Sequence, residues 1–173
     1  MPYDLPPPAL DDDTYLTHYR WMARALELAE QAGAAGEVPV GAVIVAPNGQ
    51  CLAEGENRRE RDHDPTAHAE IVALRRAGAA QGRWYLKGCQ LYVTLEPCPM
   101  CAGAILQGRI QTLIYGTADP KAGGICGAID IPHSPAAHHK LEILQGILAA
   151  PAQQQLQQWF AARRAANKRD KRP

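Results

Sequence analysis

The sequence predicts a three-layer α/β/α domain built on a mixed sheet of about five strands, and three observations carry that prediction. Short apolar runs alternate with longer segments of helical periodicity, so strands are separated by helices and the connections cross over a sheet covered on both faces. One strand pair departs from that rule. Residues 40–46 and 51–56 are separated by Pro47-Asn48-Gly49, the chemistry of a tight hairpin, which makes this pair antiparallel. A length of 173 residues with 46% hydrophobic content is also enough for one closed core.

The elements follow in order. Residues 1–13 hold Pro6-Pro7-Pro8 with Asp4, Asp11, Asp12 and Asp13, and no basic residue precedes Arg20. Such a segment cannot build a core and is read as a disordered leader; its acidity excludes an ordinary secretory signal. From Thr14, residues Leu16, Tyr19, Met22, Ala23, Leu26 and Ala29 recur at helical spacing, with aspartates suited to a helix start. The hairpin strands come next. Asp64-Pro65 then opens a helix, Asp64 as N-cap and Pro65 in the first turn, running through Leu74 to about residue 80. Residues 91–95 form a strand, Pro97 opens a helix to about residue 107, and 110–115 form another strand. A Gly- and Pro-rich loop spans 117–135, a short strand 141–147, and Pro151 begins the last helix. The domain is thus 14–168, with a basic tail at 169–173. The longest apolar run, 40–46, falls far short of the ~20 residues of a membrane helix.

Formal net charge is zero, yet it is unevenly spread. Residues 163–173 carry Arg163, Arg164, Lys168, Arg169, Lys171 and Arg172 against Asp170. A basic end on a neutral chain points to a polyanionic partner, or else to a solvated, frayed terminus. Five cysteines, two of them in one C-x-x-C, suit a reduced cytoplasmic protein rather than a disulfide framework.

Chemistry concentrates in two short segments. His68-Ala69-Glu70 supplies an imidazole and a carboxylate, and Pro97-Cys98-Pro99-Met100-Cys101 supplies two thiols. His68, Cys98 and Cys101 read as ligands of one zinc ion per chain. Three protein ligands leave the fourth tetrahedral position for water, the pattern of a catalytic zinc. The cysteines stand at i and i+3 in the first turn of the helix opened by Pro97, where free N–H groups favour thiolates. Glu70 lies roughly 200° around an ideal helix from His68, so both serve one site only if the metal sits over the helix end. Glu70 is the candidate general acid/base, relaying protons between the attacking water and an aromatic ring; an isolated Glu here would read as a plain helix N-terminal residue, but beside His68 and the cysteine pair it reads as catalytic. Other uses of the cysteines stay open. A redox C-x-x-C leaves Pro97 and the distant H-x-E unexplained, and a four-ligand structural zinc needs Cys89, Cys126 or His63 to complete it. Cys51 and Cys89, in or beside strands, are expected in the core.

H-x-E followed by P-C-x-x-C is the established signature of zinc-dependent base deaminases. The chain resembles the bacterial tRNA-specific adenosine deaminases within that cytidine-deaminase-like superfamily. The likeness covers Val38-Pro39-Val40-Gly41-Ala42-Val43, Asn57-Arg58, Asp64-Pro65-Thr66-Ala67-His68-Ala69-Glu70, Tyr92-Val93-Thr94-Leu95-Glu96-Pro97-Cys98, Met100-Cys101-Ala102-Gly103-Ala104, Gly116 and Asp119-Pro120-Lys121. It implies a homodimer that converts adenosine to inosine at the wobble position of an arginine tRNA with an ACG anticodon. By the same resemblance Asn57 and Ala69 bind the base, while Asp119, Lys121, Phe160, Arg163 and Arg164 contact the anticodon stem-loop. Of Trp159 and Phe160, one is expected to pack the last helix on the sheet, with Phe160 nearer the RNA. The sequence departs from the family pattern at Thr117-Ala118, Gly124-Ile125-Cys126 and Ile131-Pro132. The H-A-E and P-C-x-x-C elements are shared with guanine and cytosine deaminases, so a free-base deaminase is the competing enzyme reading. A zinc-stabilised RNA-binding module without catalysis is the competing non-enzyme reading.

Overall fold

A computed structural model describes residues 11–170, with nine elements arranged about one sheet. Residues 1–10 of the predicted leader and 171–173 of the predicted tail lie outside the described residues. Helix α1 is Asp12–Ala34, β1 Gly41–Val45, β2 Cys51–Glu56, α2 Ala69–Gln81, β3 Gln90–Leu95, α3 Pro99–Gln107, β4 Thr112–Thr117, β5 Glu142–Gln145 and α4 Ala149–Asp170. The strands lie in the order β2-β1-β3-β4-β5. β1 is antiparallel to both β2 and β3, whereas β3–β4 and β4–β5 are parallel. The sheet is therefore mixed, as the hairpin and the crossovers predict.

β1 is buried on both faces, and its alternation divides the core. Val43 and Val45 join Met22, Ala25 and Leu28 of α1, with Tyr92 and Ile114. Ala42 and Ile44 join Ala73 and Ala77 of α2, Ala102 and Ile105 of α3, and Leu91, Val93 and Leu113. Helices α1 and α4 thus cover one face and α2 and α3 the other, which gives the three layers. Two glycines bring helices hard against the sheet. A Cβ at Gly41 would lie 2.0 Å from the Ala25 carbonyl of α1, and one at Gly55 would lie 2.2 Å from the Ala69 carbonyl of α2. Gly55 thereby seats the N-terminus of α2, where His68 and Glu70 stand.

Several predicted boundaries move, each for a local reason. Asp11 caps α1 by accepting the Thr14 N–H at 2.9 Å, so the helix starts at Asp12 and takes in the end of the predicted leader. α2 begins at Ala69 rather than Pro65, because Asp64 accepts from the Thr66 N–H at 2.8 Å and Oγ1 at 2.6 Å in a tight turn. α3 begins at Pro99 rather than Pro97. Cys98 precedes a proline and is extended, with φ −68° and ψ 170°, so the second proline takes the first helical position. β4 begins at Thr112 rather than 110, since Arg109 turns the chain with φ 55° and the Ile110 N–H closes back onto the Ile105 carbonyl. β5 stops at Gln145 because Gly146 turns the chain at φ 94°. Among the described residues no helix is long and apolar enough to cross a membrane.

Candidate active site

The C-terminal ends of the parallel strands β3 and β4, the start of the antiparallel β1 and the N-termini of α2 and α3 meet at one edge of the sheet. Open α/β sheets bind ligands at such an edge. His68 is the N-cap residue of α2, extended at φ −70° and ψ 155°, and makes no capping hydrogen bond of its own. Its ring instead turns Nδ1 toward the cysteines, 3.6 Å from Cys98 Sγ and 3.5 Å from Cys101 Sγ. Cys98 is the N-cap residue of α3 and Cys101 lies in its first turn. The expectation that both cysteines share the first turn is corrected to that extent, yet the i, i+3 spacing still brings them to one point.

The donor set fits zinc. Nitrogen and sulfur ligands at ordinary zinc bond lengths and a tetrahedral angle are separated by about 3.6 Å, which matches both observed distances. The three ligand atoms all lie within 4.8 Å of one another. Without a cation the groups compete for protons. A hydrogen bond from Cys101 holds the Cys98 thiol down at about 4, while the same bond, with burial, pushes Cys101 up. The hydrogen bond to Cys98 also raises His68. A cation that replaces those protons relieves the conflict and leaves both sulfurs as thiolates. The geometry turns Nδ1 of His68 toward both sulfurs, an orientation the sequence does not specify.

The remaining cysteines separate from the centre. Cys89 is 3% exposed within the core, as expected, whereas Cys51 is exposed and not a core residue. Among the described residues the group that could hold a metal ion is His68, Cys98 and Cys101, without Cys89, Cys126 or His63. A four-ligand structural site therefore has no support.

Beside the ligands lies a cavity of about 190 Å³, below the roughly 300–1,000 Å³ of pockets for drug-sized ligands and suited to a single base. Glu70, in the first turn of α2 and 4% exposed, lines it together with His68 and Cys98. Burial pushes the Glu70 carboxyl up to about 6. His68 at the N-cap and Glu70 in the first turn thus reach one site over the helix end. Asn57 also lines the cavity. Its Nδ2 donates to the Val38 carbonyl at 3.2 Å and its Oδ1 accepts the Arg59 N–H at 3.4 Å, leaving one donor and one acceptor for a ligand. Ala69 and Asp119 also line the cavity.

A second cleft of about 580 Å³ adjoins the first, since Val38, Leu95 and Asp119 border both. Lys121, Phe160 and Arg164 line it. Phe160 is 42% exposed there. Trp159 lies instead against Gly33, whose Cβ would stand 3.5 Å from the indole, and the Arg163 guanidinium sits 5.7 Å from the Trp159 ring centroid. α4 thus presents Phe160 and Arg164 to the cleft, and Trp159 with Arg163 elsewhere.

Sequence reasoning passed over three residues. Arg59 borders the cavity, while its neighbour Arg58 is held by Asp62 at 2.8 Å. Glu37, 1% exposed, accepts the backbone N–H groups of Glu60 and Arg61 and so fixes the loop after Asn57. Glu96, 3% exposed, borders the cavity from the end of β3. The available signal was a carboxylate closing an apolar strand just before the cysteine motif.

Comparison with known proteins agrees with this geometry. Residues 16–117 match the cytidine and deoxycytidylate deaminase zinc-binding region. The chain is 44% identical over 152 residues to the tRNA-specific adenosine deaminase of Haemophilus influenzae, covering 88% of each protein. It is 50% identical over 117 residues to the tRNA(Ile)-lysidine synthase of Deinococcus deserti, but spans only 22% of that protein's length. A chain solved in a study of A-to-I editing by tRNA:A34 deaminases at the wobble position of transfer RNA superposes with a TM-score of 0.78. That chain is 42% identical, and the match covers 79% of this chain and 99% of that one.

Proposed function

The chain belongs to the zinc-binding cytidine and deoxycytidylate deaminase family and, within it, to the tRNA-specific adenosine deaminases, and we propose that it deaminates adenosine to inosine at the wobble position of an arginine tRNA carrying ACG, with Glu70 as proton relay. The observation that carries this reading is the continuity of two spaces. A base-sized cavity holds Glu70 and Asn57, and the cleft that adjoins it is lined by Lys121, Phe160 and Arg164. A free base needs only the first space. A nucleotide within a loop needs both, one for the extruded base and one for its neighbours and phosphates.

His68, Cys98 and Cys101 would hold the zinc. When bound, zinc lowers the pKa of a ligated water to about 7 and so supplies the nucleophile at neutral pH. The residues of the chain do the rest. Glu70 takes the proton of the attacking water and passes it to ring N1 as the new C6–O bond forms. It then carries the second proton to the amine, the C6–N bond breaks, and ammonia leaves with inosine as product. Asn57, held by backbone at both ends of its amide, offers its remaining donor and acceptor to the purine edge and orients C6. Val38, Val40 and Leu95 supply apolar wall to the cavity.

The RNA contacts are tested through ionic strength. Replacing Lys121 or Arg164 by Ala should raise KM on an anticodon stem-loop with little change in kcat, and flatten the fall of affinity with salt by about one phosphate contact each. Phe160→Ala should raise KM with the salt slope unchanged, as loss of stacking requires. Unchanged KM in all three variants overturns this reading of the cleft.

The same reading implies a cytoplasmic homodimer. An apolar groove of about 840 Å³ between α2 and α3 supports the dimer; Ile71, Leu74, Leu86 and Trp84 line it, and Trp84 is 67% exposed. A second copy covering this face should give a dimer in sedimentation at micromolar concentration, and Trp84→Glu should shift it to monomer. A wild-type monomer contradicts the assembly.

A further inference from the structure

Glu96 stands between the end of β3 and the cysteine segment, and its carboxylate is enclosed by backbone donors. Oε2 accepts the Asp119 N–H at 2.8 Å. Oε1 accepts from Ile125 at 3.1 Å, Cys126 at 2.8 Å and Gly127 at 2.7 Å. A buried carboxylate met by four N–H groups is stabilised without a cation, and every one of these donors belongs to the loop after β4. The glycines of that loop are fitted to the anion. A Cβ at Gly123 would lie 2.3 Å from the Glu96 carboxylate, and one at Gly127 would lie 2.9 Å from Oε2 and 2.2 Å from the Asp119 carbonyl. Gly124 packs as closely on the other side. Its N–H donates to the Pro97 carbonyl at 2.7 Å, and a Cβ there would stand 2.7 Å from the Pro99 nitrogen.

The loop is thus fastened at Glu96 and at the Pro97 carbonyl, the two residues that lead into Cys98. It carries Asp119 and Ala122 of the cavity and Lys121 of the cleft. We infer that Glu96 is a positioning residue: its carboxylate locks the 119–127 loop onto the cysteine segment, so that the substrate wall and the metal ligands form one rigid frame. The loop departs from the family pattern at Ile125 and Cys126, and both still supply their backbone N–H groups to the carboxylate. What the anion needs from those positions is N–H groups and space, not particular side chains.

Glu96→Gln tests it, because the isosteric amide keeps the volume but turns an NH₂ toward backbone donors. Hydrogen exchange resolved by residue should show the amides of Asp119, Ile125, Cys126 and Gly127 exchanging at least about tenfold faster. The amides of β1 and β3 and the zinc content should hold. On the stem-loop, kcat/KM should fall about 10- to 100-fold, carried mainly by KM. If Glu96→Gln does not fold, Gly127→Ala displaces the loop with the carboxylate intact and should give the same exchange pattern. Wild-type protection of these amides in Glu96→Gln, or in Gly127→Ala where that variant stands in, overturns the inference. So does a fall in kcat with KM unchanged. The kinetic readout rests on the proposed tRNA reaction, whereas exchange needs no substrate. Loss of loop protection beside a wild-type protein inactive on the stem-loop would sink the substrate and keep the role of Glu96.

Discussion

Glu70→Ala is expected to bind one zinc per chain, fold as the wild type does, and deaminate about 10²- to 10⁴-fold more slowly. The carboxylate is 4% exposed and lies outside the group of His68, Cys98 and Cys101, so the loss falls on proton transfer and not on the ligand shell. The melting temperature should stay near that of the wild type, since neither hydrophobic core includes Glu70. Elemental analysis, thermal melts and single-turnover rates on one preparation check all three parts. A Glu70→Ala rate within about tenfold of wild type would show that another group relays the protons.

Equally large effects are expected at the ligands. Replacing His68, Cys98 or Cys101 by Ala should abolish stoichiometric zinc and all measurable turnover, since two remaining ligands cannot hold the ion at working concentrations. Chelation should do the same to the wild type without unfolding it. α3 is fixed by Ile105 and Leu106, 0% and 3% exposed in a core that does not include the ligand cluster beyond Cys101's own helix. Circular dichroism should thus persist through chelation, and zinc should restore activity. Collapse of the helical signal on chelation would make the zinc structural, and full zinc retention in all three variants would remove it from these residues.

The layers, the hairpin and the grouping of His68, Cys98 and Cys101 were legible because apolar periodicity and residue spacing are local patterns. Helix starts were not. Asp64-Pro65 and Pro97 both carry helix-opening chemistry, but Asp64 spends its carboxylate on Thr66, and a second proline at 99 outranks the first. The roles of Glu96 and Glu37 were not legible because a backbone N–H is present at every position and leaves no mark in a sequence. Their partners lie in loops distant along the chain and become visible only after folding. The two faces of α4 were legible in part. The aromatic and arginine pairs were evident, but only packing on Gly33 assigns Trp159 and Arg163 to one side and Phe160 and Arg164 to the other.

The central claim is the substrate, and one assay tests it most directly. The zinc-loaded protein is incubated in parallel with an arginine-tRNA anticodon stem-loop carrying ACG, free adenosine, cytidine and guanine, and the bases and released ammonia are quantified. The account predicts inosine at the wobble position of the stem-loop, with activity falling as salt rises, and poor turnover of the three small molecules. Efficient conversion of free guanine to xanthine, with no inosine in the stem-loop, would contradict it.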